Sequence, residues 1–156
     1  MTIASTIAAF AQGPTLVNAA FAGLSAPHLD AFPIPGTWSL RQIGVHLLDS
    51  DLAATHRMRR IASEETPPLI IAYDESAFVR HLSYERDDLG QALALFEMNR
   101  RWTAAWLSRV PEKDFARHGI HNQRGKITLG EMVALYVEHV DHHLKFVKQK
   151  RAMLGV

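Results

Sequence analysis

The chain has 156 residues, no cysteine, and 17 lysines and arginines against 16 aspartates and glutamates, a formal charge of +1. This excludes disulfides, thiolate metal sites, iron–sulfur clusters and a cysteine nucleophile, and the lack of a basic excess argues against nucleic-acid binding. With 47% hydrophobic and 21% charged residues, whole-chain disorder is excluded too, and residues 1–156 are expected to form one domain around its own core.

The first helix is expected from Ile3 to about Leu24, where Ile3, Ile7, Phe10, Leu16, Val17, Ala20, Phe21 and Leu24 recur at spacings of three and four. Gly13-Pro14 marks a bend or break within it. A proline- and glycine-bearing loop follows, Ser25 to Thr37. Ser39 and Gln42 form a capping box that opens a second helix running to about Ile61, with Leu40, Ile43, Leu47, Ala54, Met58 and Ile61 near one face. Pro67-Pro68 prevents helix soon after. The run Leu69-Ile70-Ile71-Ala72-Tyr73 suits a short strand, but no partner strand is evident, so irregular or short helical structure is expected around Asp74 to His81.

A third long helix is expected from about Arg86 to Val110, striped by Leu89, Leu93, Phe96, Arg100, Thr103 and Leu107, and ended by Pro111. Asp114 to Ile127 reads as a polar loop. Thr128 and Glu131 form a second capping box, and the last helix runs to about Leu154 on Leu129, Met132, Val133, Tyr136, Val140, His143, Leu144 and Val147. Four long amphipathic helices imply an all-α fold, an up-and-down four-helix bundle. No run reaches the 18 or so apolar residues of a membrane span, and the apolar stretch Ile3 to Phe10 has no basic residues ahead of it as an export signal would. A cytoplasmic protein without membrane or nucleic-acid partners is expected.

The unusual number is nine histidines. His139 and His143 are four apart, so they share one face of the last helix and fall on its apolar stripe. Buried imidazoles need partners for their nitrogens, and a divalent metal supplies one economically. Val140 follows His139 where a helical metalloprotease motif would have glutamate, which excludes that motif. His142 points elsewhere and is expected to face solvent. A third ligand has to come from another helix, and His46, beside Ile43 and Leu47, is the natural candidate; a satisfied core histidine is the plainer reading of it. Asp49, one turn on, could anchor an imidazole, fill a coordination position or stand in solvent. Three histidines would leave room for water or substrate, as in a catalytic centre, and zinc, nickel or iron would all accept such ligands. The catalytic groups beyond these ligands are unknown from sequence: no nucleophile triad or phosphate-cradling glycine loop is present.

Other polar residues weigh differently. Trp38, just before the helix cap, is expected to pack at the bundle end. Arg100 and Arg101, beside Asn99, are expected on a solvated or snorkelling face. The basic cluster Arg57, Arg59 and Arg60 suits a helix end. His118 and His121 are expected to be exposed in their loop, and Tyr136 to pack in the core.

Two segments carry a resemblance. "GTWSLRQIGVHLLDSD" at Gly36 to Asp51 and "ITLGEMVALYVEHVDHHLKF" at Ile127 to Phe146 resemble the tryptophan-serine helix start leading to a histidine, and the later H-x3-H, of the DinB-like (DinB/YfiT-like) family. The resemblance covers nearly the whole chain. It implies a metal triad at His46, His139 and His143, an antiparallel four-helix bundle, a homodimer and a small-molecule substrate. It further implies a divalent-metal-dependent enzyme: a transferase using a low-molecular-weight thiol as cofactor, or a hydrolase in which water attacks. The non-enzymatic alternative is a metal- or small-ligand-binding bundle.

Overall fold

The computed structural model describes residues 2–156. Side-chain caps set its helix starts. Thr2, Ser39, Asp74, Asp88 and Thr128 each accept the backbone N–H of the residue three positions on, satisfying a donor the helix cannot. The long helices are α1 (Ile3–Phe21), α3 (Leu40–Ser63), α5 (Leu89–Leu107) and α6 (Leu129–Leu154). Two short ones, α2 (Ala26–Asp30) and α4 (Glu75–His81), lie in the connections. Ser39 with Gln42 and Thr128 with Glu131 form both capping boxes expected from sequence.

The four long helices form the expected bundle. Around it the order is α1, α5, α3, α6: α3 packs on α5 and α6, and α1 packs on the same two. Consecutive helices α1 and α3, and likewise α5 and α6, therefore stand across the diagonal, and their connections cross the bundle ends. No helix among the described residues is long and apolar enough to cross a membrane.

The structure corrects three local expectations. Gly13-Pro14 does not break α1. Proline cannot donate to the carbonyl four residues back, so Phe10 O would be orphaned; instead it accepts Arg100 Nη1 at 3.2 Å. Leu69–Ile70 is a strand, β1, and the polar loop holds two more, β2 (His118–His121) and β3 (Gly125–Thr128). β1 pairs parallel with β2, Leu69 opposite Ile120, and β2 pairs antiparallel with β3. The fold is thus a helical bundle with a three-stranded sheet at its side. Gly119 allows the close approach of β1 and β2, since a Cβ there would stand 2.7 Å from Ile70 Cδ1 and 3.0 Å from Pro68 O.

Among the described residues the apolar core comes in two large clusters and a small third one of Val45, Val79, Tyr84 and Ala92. One large cluster holds Phe10, Met58, Leu107, Leu129 and Met132; the other holds Val17, Leu40, Leu47, Phe96 and Val147. Between these two lies a polar waist. Asp51 and Arg100, each 1% exposed, form an ion pair with Nε to Oδ1 at 2.8 Å. Arg100 also donates Nη2 to Tyr136 O at 2.8 Å, and its guanidinium lies 4.1 Å from the Phe10 ring centre. The solvated or snorkelling arginine expected from sequence is therefore a buried tie joining α1, α3, α5 and α6. Gly13 gives it space, because a Cβ there would lie 2.4 Å from Arg100 Nη1.

Candidate metal centre

Helix α3 buries His46 completely, between the equally buried Val45 and Leu47. Helix α6 aims His139 and His143 at it from successive turns. The Nε2 atom of His139 stands 3.2 Å from Nε2 of His46 and 3.2 Å from Nε2 of His143. One ligand nitrogen from each ring lies within 4.8 Å of the others. His142 is exposed, as expected; its ring meets the His143 ring edge-on at 5.3 Å from the outer side, and it is not among the clustered ligands.

Hydrogen bonding within the trio cannot satisfy it. An imidazole nitrogen has either one proton or one lone pair, so His139 Nε2 makes at most one good bond to its two neighbours. A divalent ion resolves this. Zinc binds imidazole at about 2.0–2.1 Å, and two ligands of a tetrahedral centre then stand about 3.3 Å apart, close to the two separations of 3.2 Å from His139. Burial pushes the imidazoles well below their ordinary pKa, to about 3 for His46, about 2 for His139 and about 4 for His143, with neighbouring rings adding to the effect. All three are neutral near pH 7, which is the form that coordinates metal. The donor set and its spacing fit a divalent metal.

The surroundings are partly apolar and partly polar. The Trp38 ring lies 4.8 Å from the His46 ring and stacks at 6.3 Å over His143, so it walls the cluster as well as packing at the bundle end. Asp49 turns away: its Oδ2 accepts the hydroxyl of Tyr84, and it is not one of the clustered ligands. Glu75, in the first turn of α4, brings Oε2 to 4.0 Å from His46 Nε2. Partial burial raises its pKa.

A cavity of about 160 Å³ opens from His139 between α3, α6 and the sheet. Arg57, Tyr73, Glu75, His121 and Tyr136 line it, with Ala72 and Leu135 as apolar wall. Arg57 Nη1 donates to Tyr136 Oη at 3.0 Å, and Nη2 to Ile71 O at 2.7 Å. His121 is buried, not exposed as its loop position suggested, because β2 turns it inward. Its Nδ1 accepts the Gln123 N–H at 3.1 Å, which places the proton of the neutral ring on Nε2. Burial, with Arg57 and Arg124 nearby, lowers its pKa. Burial holds the Tyr73 hydroxyl protonated, its pKa pushed up to about 12.

Sequence reasoning found the three imidazoles and missed Glu75, Tyr73 and the role of Arg57. Tyr73 and Glu75 follow β1 directly, and β1 is held beside α3 by pairing with β2, about fifty residues later; Arg57 reaches the same cavity from α3. An adequate signal for β1 was present in its β-branched run; its partner was hidden in a segment read as loop.

The chain is similar to known proteins in sequence and in fold. The family model described as the DinB superfamily matches residues 9–147. A protein of Bacillus licheniformis named a "putative metal-dependent hydrolase" is 34% identical over 146 residues, 92% of this chain and 82% of its own length. "Putative metal-dependent hydrolase YfiT" of Bacillus subtilis is 33% identical over 134 residues, 85% of this chain and 71% of its own. The solved structure of YfiT superimposes with a TM-score of 0.91 over 98% of this chain and 87% of that one, at 27% identity. It is described as "a probable metal-dependent hydrolase with an unusual four-helix bundle topology". The diagonal placement of consecutive helices suits that description.

Proposed function

The chain belongs to the DinB superfamily, and from that premise we propose that it is a divalent-metal-dependent enzyme, hydrolytic in its reaction, with the ion held by His46, His139 and His143. The observation carrying this reading is the convergence of three neutral Nε2 atoms, one of them from His139, which also lines a cavity. Zinc, nickel and iron all suit such a donor set. A divalent ion bound there supplies Lewis acidity, activating a nucleophile and stabilising negative charge that develops on the substrate.

The protein's own groups do the rest. Three protein ligands leave coordination positions to water or substrate. Glu75 Oε2 stands where it can take a proton from a water beside His46, and α4 holds it there through the Asp74 cap. The Trp38 ring packs against the His46 and His143 rings and adds to the burial that keeps them neutral. Transfer to a low-molecular-weight thiol is the second reading. It needs the same ligands and differs in the nucleophile, and the donor-rich cavity wall favours it because such thiols carry carboxylates.

The test is turnover by metal-loaded protein of a panel of small esters and amides. Hydrolysis without thiol, lost in His143→Ala, supports the hydrolase. Consumption of added thiol with an electrophile, and no hydrolysis without it, selects the transferase. Neither activity from metal-loaded protein contradicts the enzymatic reading.

A further inference from the structure

The cavity beside His139 gathers several hydrogen-bond donors, Arg57, Tyr73, His121, Arg124 and Tyr136, against one carboxylate, Glu75. Arg57 uses two of its five N–H groups on Tyr136 and Ile71, leaving three. Tyr136 Oη accepts from Arg57, so its own proton is free to donate. Tyr73 Oη is buried with no hydrogen-bond partner among the described residues. His121 presents its Nε2–H, because Nδ1 is occupied by the Gln123 amide. A buried donor without an acceptor is costly, so the Tyr73 hydroxyl, facing the same cavity as Arg57, calls for an acceptor there.

Charge and size narrow that group. Arg57 and Arg124 contribute two positive charges and Glu75 one negative, a local excess of one matched by a monoanion. A guanidinium whose fork is already fixed by two hydrogen bonds suits a planar carboxylate. The cavity volume of about 160 Å³ resembles the roughly 150 Å³ that holds a benzene-sized molecule. We propose that this cavity is a carboxylate-binding subsite, with Arg57 as its principal charge and Tyr73 as a second donor, that holds a small monocarboxylate beside the metal centre. The inference rests on the proposed enzymatic reading and supplies its substrate class: a molecule whose carboxylate is anchored by Arg57 while its reactive end faces the imidazoles.

Calorimetric titration with benzoate tests this in both metal-loaded and metal-free protein. The expected result is saturable one-site binding that persists without metal, with benzamide, its neutral counterpart, at least about tenfold weaker. Arg57→Met is expected to weaken benzoate at least about tenfold while leaving metal stoichiometry intact, and Tyr73→Phe to weaken it several-fold. His143→Ala is expected to lose metal and retain benzoate, so failure of the metal site and failure of the subsite read separately. If Arg57→Met does not fold by circular dichroism, Tyr73→Phe and Arg124→Gln carry the test. Equal binding of benzoate and benzamide, no binding at millimolar benzoate, or unchanged affinity in the folded variants would overturn the subsite. Inorganic phosphate binding more tightly than benzoate would overturn the carboxylate assignment. Glutathione competing with benzoate supports the subsite and places the carboxylate on a thiol; benzoate binding without such competition supports it and places the carboxylate on the substrate.

Discussion

Two buried polar clusters sit about a turn apart on α3, and they are finished differently. At the waist, Asp51 accepts Arg100 Nε and Asn99 Nδ2, at 2.8 and 2.6 Å, and the guanidinium's other nitrogens reach Phe10 O and Tyr136 O. Thr55 joins the same network through Asn99 at 2.9 Å and Thr103 at 3.1 Å. At the imidazole trio, three nitrogens face one another, and His46 Nδ1 has no partner among the described residues. A polar cluster closed by the protein's own atoms holds helices in register. One that the protein leaves open invites an external group, and here that group completes the site.

Acid distinguishes the two clusters most strongly. Each imidazole has a folded-state pKa below its ordinary value, so below about pH 6.5 the unfolded chain takes up protons that the folded chain refuses. Stability is therefore full above that pH and falls as pH decreases toward about 4, by up to about 1.4 kcal/mol per pH unit for each ring. Urea melts of metal-free protein at pH 7.5 and 5 are expected to differ by several kcal/mol, the lower pH being weaker. Equal midpoints would mean that the imidazoles are not buried neutral.

The next largest effect belongs to the waist. Arg100→Met strands a buried carboxylate and is expected to cost about 3–5 kcal/mol in urea unfolding. Replacing Asp51 with Leu in the same chain is expected to recover part of that loss, because both charges then leave the core together. A double variant weaker than Arg100→Met would show that the waist stabilises by more than its charge pair. A smaller loss is expected for Gly13→Ala, about 1–3 kcal/mol, since its Cβ intrudes on the guanidinium. No change there would mean that Arg100 has room to move aside.

The contrast also explains what could be read from sequence. The helices were legible because their signals are local: Ser39 with Gln42, Thr128 with Glu131, and apolar residues at three and four. His139 and His143 were legible for the same reason, since one turn of helix fixes their relation. Arg100 lay on the apolar stripe of its helix, and periodicity placed it inside while its chemistry argued for water; burial with Asp51 reconciles the two. The Leu69–Ile70 strand was not legible, because its partner, Ile120 to His121, lies far along the chain. The cavity wall depends on that pairing. Arg57 therefore read as helix-end charge, His121 as an exposed loop residue, and Glu75 not at all.

Metal titration by calorimetry reaches the central claim most directly. Metal-free wild-type protein is expected to bind one zinc or nickel ion per chain. Alanine at His46, His139 or His143 should each abolish tight binding, while His142→Ala should bind as wild type does. Wild-type affinity in His143→Ala, or a loss in His142→Ala equal to that of its neighbour, would contradict a centre built from these three imidazoles.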